Sequence, residues 1–223
     1  MKFTAQWVSR MRAAVAASKD GRLFIAPIPK KIAQPVIKQA AVLIALCNRH
    51  GEASVLFTLR SNTVGTHKGQ VSFPGGHMDK GESEVDAAFR ETYEELGSGI
   101  GDIELIGLCQ TIPAKTGTPV TPVVGFLSTD VGDFEDFCPS ADEVDRVFTR
   151  SLAQLTDPGY KRYEMLSGRK SDEGKTFRFP VFGGGGEDAD TSSAEYEERV
   201  WGFTALVLEK TLEHLIIPTQ EKE

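Results

Sequence analysis

The sequence predicts an α+β fold in which a mixed β-sheet is sandwiched between helices, an α/β/α arrangement. Short, apolar, β-rich runs outnumber the helical segments, and the two kinds follow one another in mixed order, which indicates helices on both faces of a sheet. A chain of 223 residues, 40% hydrophobic, suffices for one core and is short for two enzyme domains. We expect an N-terminal helix and connector at 1–37, one domain at 38–216 and a tail at 217–223.

The first twenty residues carry two signals. Apolar side chains recur at helical spacing, which favours a helix packed on the core; they are Trp7, Val8, Met11, Ala14 and Val15. Four basic residues occur before the first acid, Asp20, a composition that resembles an organelle-targeting peptide. We favour the packed helix and leave the targeting interpretation open. Pro27, Pro29 and Pro35 then predict an extended connector.

Apolar runs predict the strands in order. Segments 40–47 and 54–59 are separated by the turn-forming 48–51 and predict a hairpin. The remaining predicted strands are 70–73, 103–111, 120–127, 144–148 and 176–182. Pro180 places the last of these at a sheet edge, because proline cannot donate to a strand ladder. A short helix is predicted at 151–155 and an amphipathic one at 203–216, with a flexible, acidic, glycine-rich insertion at 183–198.

A central helix is predicted between residues 83 and 97. One apolar stripe gathers Val85, Ala88, Phe89, Thr92 and Leu96. Ser83 followed by Asp86 predicts the N-terminal cap, and Gly97 predicts the C-terminal stop.

Three glutamates of this helix, Glu91, Glu94 and Glu95, fall off the apolar stripe and are expected on one outward arc. Like charges at this spacing destabilise a helix. The arc is interpreted either as a solvated acidic face or as a set of oxygen ligands for a hard cation such as Mg²⁺ or Mn²⁺.

Charge and composition exclude several classes of protein. A formal net charge of -7 argues against nucleic-acid binding and against anionic membranes. No apolar run is long enough for a membrane span, and no signal-peptide core is visible. The three cysteines lack metal-ligand spacing and indicate a reducing, intracellular compartment. The C-terminal Gln-Glu-Lys-Glu is not a peroxisomal signal, so a mitochondrial or cytoplasmic location is expected.

The segment 76–97 resembles the Nudix box. Its fixed residues match position by position, at Gly76, Glu82, Arg90-Glu91, Glu94-Glu95 and Gly97. Thr92 and Ser98 stand where the box usually has aliphatic residues, and threonine can still pack through its methyl group. The resemblance implies a Nudix fold and a hydrolase that uses Mg²⁺ or Mn²⁺ to cleave a nucleoside diphosphate linked to another group.

The box also implies roles for its residues. Glu91 and Glu95 are the expected principal metal ligands, Glu94 the third ligand or the base, and the Gly76 carbonyl a further ligand. Glu82 is placed either in the metal shell or in a structural role at the helix N-terminus, where the dipole favours acids.

Arg90 cannot readily be a metal ligand because it is cationic, so it is expected to orient carboxylates, the alternative being an exposed ion pair. Glu143, outside the box, is the second candidate for the base.

Residues around the box resemble the coenzyme A diphosphatase branch of the family. The matching stretches are 56–61, 67–76, 118–125, 143–148 and 200–205. Arg60, His67 and Lys68 are the resulting candidates for binding substrate phosphates. Gly65 stands where the branch usually has a second arginine, and Phe57 replaces a leucine. The resemblance as a whole implies that the substrate is coenzyme A or acyl-coenzyme A, cleaved to 3′,5′-ADP and (acyl-)4′-phosphopantetheine.

Two alternatives stay open at this point. The same chemistry could serve another nucleoside diphosphate derivative, such as a dinucleotide, a nucleotide-sugar or a damaged nucleotide. The chain could also be a non-catalytic ligand sensor, although such proteins typically lose box carboxylates that this chain keeps. The expected partner is a small-molecule substrate, and both a monomer and a homodimer are compatible with the sequence.

Overall fold

The described residues form a nine-stranded mixed β-sheet with helices on both of its faces. The computed structural model describes residues 1–24, 38–62, 68–167, 176–185 and 192–220. The helices are α1 (Ala5–Ala16), α2 (Glu84–Leu96), α3 (Leu152–Thr156), α4 (Ala194–Glu197), α5 (Gly202–Thr211) and α6 (Ile217–Thr219). Within the described ranges, no helix is long and apolar enough to cross a membrane.

The strands follow the chain with helices between them. They are β1 (Arg22–Leu23), β2 (Ala40–Arg49), β3 (Glu52–Arg60), β4 (Val71–Ser72), β5 (Gly75–His77), β6 (Ile103–Cys109), β7 (Ile112–Pro113), β8 (Pro119–Leu127), β9 (Val144–Ser151), β10 (Lys161–Ser167) and β11 (Thr176–Phe182). The main sheet has the order β1-β6-β8-β2-β3-β4, with β5 paired to β2, β7 to β8 and β9 to β3. The β2–β8 and β1–β6 pairs are parallel and the others antiparallel, so the sheet is mixed, as predicted.

The predicted hairpin is confirmed, with longer strands than expected. His50 and Gly51 both have positive φ, 49° and 75°, which is the conformation of the tight turns that join twisted antiparallel strands. The turn therefore needs only two residues, and Arg49 pairs directly with Glu52.

Two hydrophobic layers cover the sheet, one on each face. Alternate residues of β2 point to opposite sides, so Ile44 and Leu46 join the layer under α1 and α5, whereas Leu43 and Ala45 join the layer under α2. This alternation produces the predicted α/β/α arrangement.

Helix α1 packs on the sheet, which confirms the packed-helix interpretation. Trp7, Val8, Met11 and Val15 are all buried, and they belong to the hydrophobic layer that also contains Phe57. The Trp7 indole nitrogen donates to Thr219 Oγ1 at 3.0 Å. The two ends of the described chain are therefore joined on the face opposite α2. The division into 1–37, 38–216 and 217–223 stays a prediction.

Other elements differ from expectation. Strand β10 was missed, because its sequence, KRYEMLS, has no regular apolar alternation; it pairs with β11 in a separate two-stranded sheet. The predicted helix at 203–216 is α5 followed by a π-helical stretch, Leu212–Ile216. Within the predicted insertion, 186–191 lie outside the described residues and Ala194–Glu197 forms the short helix α4.

Candidate active site

Helix α2 begins and ends where the sequence predicts. The Ser83 hydroxyl accepts from the Asp86 N–H at 3.1 Å and satisfies one of the free donors of the first turn. Gly97, with φ of 84°, ends the helix, and its N–H donates to the Tyr93 carbonyl. Local interactions therefore set both ends of α2.

Glycines of β5 allow two carboxylates of α2 to approach the backbone. A Cβ on Gly76 would lie 2.3–2.7 Å from the carboxylate atoms of Glu91, closer than real contacts allow. Gly75, with φ of 142°, has no room for a side chain against Ala41, and its N–H donates to Glu95 Oε2 at 3.4 Å. These glycines bring the backbone of β5 to the glutamate face of α2.

Glu95 is buried, and its expected position on the outward acidic arc is wrong. Its exposed fraction is only 2%. The reason is helical geometry: Glu95 lies seven residues after Ala88 and three after Thr92, so it shares their inward face. The predicted apolar stripe was correct in Ala88, Thr92 and Leu96, which are buried, but it is wider than the prediction and includes Glu95.

Burial dominates the electrostatics of the pair formed by Glu91 and Glu95. Loss of solvation raises the pKa of Glu95 to about 8, partly offset by the positive charge of Arg60 and the Gly75 N–H. The pKa of Glu91 is also raised, first by burial and then by the negative charges of Glu94 and Glu143, against the effect of Arg90. The fold therefore disfavours the charged form of both carboxylates.

Arg90 connects the acidic residues of the box. Its guanidinium binds both oxygens of Glu82 at 2.8 and 3.0 Å, and it donates to Glu91 at 3.0 Å and to Glu94 at 3.1 Å. It also donates to the His77 carbonyl at 3.1 Å. Arg90 thus makes more contacts than an exposed helix ion pair would, and these contacts hold β5 and α2 together.

Glu82 lies in the turn before α2 and faces Arg90. Hydrogen bonds from Arg90, followed by that from the Asp79 N–H, lower its pKa to about 2. Both of its oxygens are committed to Arg90, and one also accepts from Asp79. Of the two expected roles for Glu82, the geometry favours the structural one.

The structure describes two of the candidates for binding substrate phosphates, Arg60 and Lys68. Arg60, at the end of β3, places Nη1 3.6 Å from Glu95 Oε1. Lys68 is exposed in a turn. His67 and Gly65 lie outside the described residues.

Glu143 follows the acidic loop between β8 and β9 and is also exposed. Its carbonyl accepts from the Ser61 N–H at 2.9 Å, and its charge acts on both Glu91 and Glu95. The same loop binds the end of α2, since the Ser140 N–H donates to the Glu95 carbonyl.

Sequence reasoning missed the contact of Arg60 with Glu95 and the docking of the acidic loop on α2. Thirty-five positions separate Arg60 from Glu95, and no local pattern indicates such a contact. The two glycines were a usable signal, because each predicts a close approach of backbone and another group.

The donor chemistry of the site fits a divalent cation. Within the described ranges, no group of three or more His, Cys, Asp or Glu side chains is already gathered as a metal shell. Among the described residues, the buried carboxylate of Glu95 nevertheless has two long polar contacts, at 3.4 and 3.6 Å. Glu91 lies beside it in the space that Gly76 leaves. Carboxylate and carbonyl oxygens are the ligands that Mg²⁺ and Mn²⁺ prefer.

Comparison with known proteins identifies the family. Residues 37–167 match the NUDIX domain family. The chain is 37% identical over 182 residues to the mouse protein named mitochondrial coenzyme A diphosphatase NUDT8, covering 79% of this chain and 77% of the relative. It is 33% identical over 177 residues to Nudix hydrolase 3 of Caenorhabditis elegans, covering 77% of this chain and 71% of the relative.

A solved structure of a MutT/nudix family protein from Enterococcus faecalis is also similar, with a TM-score of 0.44 and 16% identity, covering 87% of this chain and 70% of that chain. The match to the NUDIX domain includes β2, β5 and α2, and thus Gly76 and the box glutamates. The chain belongs to the Nudix hydrolase family and is a diphosphatase that acts on small diphosphate substrates.

Proposed function

We propose that the chain hydrolyses the diphosphate bond of coenzyme A or acyl-coenzyme A, giving 3′,5′-ADP and (acyl-)4′-phosphopantetheine. The observation that carries the reaction is the pair of glutamates, Glu91 and Glu95, held against Gly75 and Gly76. Support for the substrate comes from the resemblance of the segments around the box and from the relatives named coenzyme A diphosphatase.

Glu91 and Glu95 are the proposed principal ligands of Mg²⁺ or Mn²⁺, and Nudix hydrolases typically depend on such a cation. The Gly76 carbonyl and Glu94 are the further candidate ligands. When bound, the cation supplies positive charge against the diphosphate and makes water more acidic. The protein supplies carboxylates that α2 holds against the glycines of β5.

Proton transfer is assigned to an exposed carboxylate of the site. Glu94 is the first candidate for the base; it projects from α2 and is held by Arg90 at 3.1 Å. Glu143 is the second, because its charge acts on both Glu91 and Glu95. Arg90 and Glu82 act as positioning residues through the network described above.

The substrate's phosphates are assigned to the basic candidates Arg60, His67 and Lys68. Arg60 lies at the end of β3, 3.6 Å from Glu95, and Lys68 is exposed in a turn; His67 belongs to this group by sequence alone. These cations offset the diphosphate charge in a chain whose net charge is -7.

A substrate panel tests this function. Purified protein is incubated with Mg²⁺ or Mn²⁺ and coenzyme A, an acyl-coenzyme A, a dinucleotide and a nucleotide-sugar, and the products are identified by mass spectrometry. The proposal expects 3′,5′-ADP from the first two. Turnover of another compound with no turnover of coenzyme A would contradict the proposal. The chain would then be a diphosphatase for another nucleoside diphosphate derivative, the alternative that Gly65 in place of the usual arginine favours.

The panel also tests the sensor alternative. Binding of a nucleotide without turnover of any compound would favour a non-catalytic sensor over both enzyme assignments. We further propose an intracellular, mitochondrial or cytoplasmic location, supported by the names of the mammalian relatives, and either a monomer or a homodimer. Microscopy of the tagged full-length protein and light scattering test these two points.

A further inference from the structure

Arg60 is the cation that faces the buried carboxylate of the site. Its Nη1 lies 3.6 Å from Glu95 Oε1, and Glu95 is buried, with an exposed fraction of 2%. Isolated buried charge is strongly unfavourable, so this arginine offsets part of the cost of placing Glu95 in the apolar layer.

The contact of Arg60 with Glu95 is loose. A close charge-assisted bond between a guanidinium and a carboxylate measures about 2.7–2.9 Å. Arg90 approaches that range with its partners, at 2.8–3.1 Å, whereas Arg60 stays at 3.6 Å. The Nε of Arg60 is buried and has no hydrogen-bond partner among the residues that the structure describes. Arg60 therefore makes no close hydrogen bond to Glu95, and its guanidinium is held only loosely where a diphosphate is proposed to bind.

Glu95 and a substrate diphosphate thus require the same guanidinium. A cation held by Glu95 would also repel Arg60, since both are positively charged. We propose that Arg60 is the counter-ion of Glu95 in the cation-free site and is transferred to the substrate's diphosphate when a divalent cation takes its place. This inference rests on the proposed diphosphatase function, and it makes binding of the cation and binding of the diphosphate mutually favourable.

A cation-free binding experiment tests the shared guanidinium. ADP serves as the probe, because it carries a diphosphate. Its affinity is measured by calorimetry with EDTA, in buffer more alkaline than the Glu95 pKa of about 8. Glu95→Gln releases Arg60 and should tighten ADP binding about fivefold, the lower range of coupling between sites. The same substitution made together with Arg60→Gln should give no gain.

Glu91→Gln is the matched control, because it also removes one negative charge, but from a glutamate that binds Arg90. It should tighten ADP binding by less than Glu95→Gln, and its effect should not depend on Arg60. An equal gain from both substitutions, or a gain from Glu95→Gln that persists without Arg60, would overturn the proposal.

The affinity for Mn²⁺ alone gives a second readout. Arg60→Gln should tighten Mn²⁺ binding about fivefold, because the competitor for Glu95 is removed. Lys80→Gln removes one positive charge from the exposed turn before α2 and should change the affinity less than about twofold. Unchanged Mn²⁺ affinity in Arg60→Gln would contradict the exchange. Neither readout uses turnover, so failure of the exchange and failure of the coenzyme A assignment are separately visible.

Discussion

Glu95 carries a carboxylate inside the apolar layer under α2, with long contacts to Gly75 and Arg60 as compensation. Its pKa in the folded protein, about 8, lies above the ordinary value of 4.5. The folded state therefore holds a proton that the unfolded state releases in this window. Stability of the cation-free protein is full below the lower value and falls as pH rises toward the upper one, by up to about 1.4 kcal/mol per pH unit.

Glu95→Gln removes this titration. In EDTA, the variant should gain stability relative to the parent as pH rises from about 4.5 to about 8, while its turnover falls at least about 100-fold, the scale of losing one electrostatic group of an active site. Urea unfolding at several pH values and product assays measure the two effects. Glu94→Gln, at an exposed position, should follow the parent's stability; parallel pH curves for Glu95→Gln and the parent would contradict the burial argument.

Gly76 allows Glu91 its position. Gly76→Ala places a methyl group 2.3–2.7 Å from the Glu91 carboxylate, so the carboxylate must move. We expect a loss of turnover of about 100-fold, since small displacements in a site cost rates of that order. Gly159→Ala is the control, because its nearest neighbour, Asp157, lies at an ordinary 3.4 Å. Comparable activity of Gly76→Ala and Gly159→Ala would show that the close approach is unimportant.

At the scale of elements, α2 and β5 are held together by Arg90. Arg90→Lys keeps the charge but loses the planar fork that binds Glu82 with two bonds and reaches the His77 carbonyl. Turnover and Mn²⁺ affinity should both fall about tenfold or more, as they do when groups that support metal ligands are replaced. Assays and calorimetry measure this.

Arg12→Lys provides the comparison for an ordinary pair. Arg12 binds Glu104 at 3.3 Å on the exposed surface, where such pairs contribute little. Its substitution should leave Mn²⁺ affinity unchanged. An Arg90→Lys variant with the parent's Mn²⁺ affinity would show that Arg90 does not position the carboxylates.

The bounds of α2 could be predicted because capping and glycine stops are local interactions. Ser83 and Gly97 perform the expected roles. The burial of Glu95 was not predicted, since hydrophobicity alone assigns a glutamate to the surface. The contacts of Glu95 with Gly75 of β5 and with Arg60 partly compensate its burial, and these contacts depend on the tertiary structure.

At the scale of the whole molecule, α1 belongs to the core on the face opposite α2. Trp7 is buried, contacts Phe3 and donates to Thr219 near the end of the described chain. Trp7→Ala should lower the free energy of unfolding by about 3–5 kcal/mol, the usual cost of emptying a large core position. At low temperature, where the variant is folded, turnover should be close to that of the parent.

Phe24→Ala is the matched control, because that ring is 53% exposed. It should change the free energy of unfolding by less than about 0.5 kcal/mol. Thermal and urea unfolding measure both variants. Equal stability of Trp7→Ala and the parent would show that α1 is not part of the folding unit.

The sequence by itself determined the layered α/β/α fold, most strand positions, the central helix and the reaction class, because periodicity, caps and a spaced set of box residues are local properties of the chain. Tertiary structure decided which carboxylate is buried, which cation faces it and how the Arg90 network joins α2 to β5. Those contacts bring together distant residues, such as Arg60 and Glu95, whose encounter depends on the pairing of strands and the packing of α2 on the sheet.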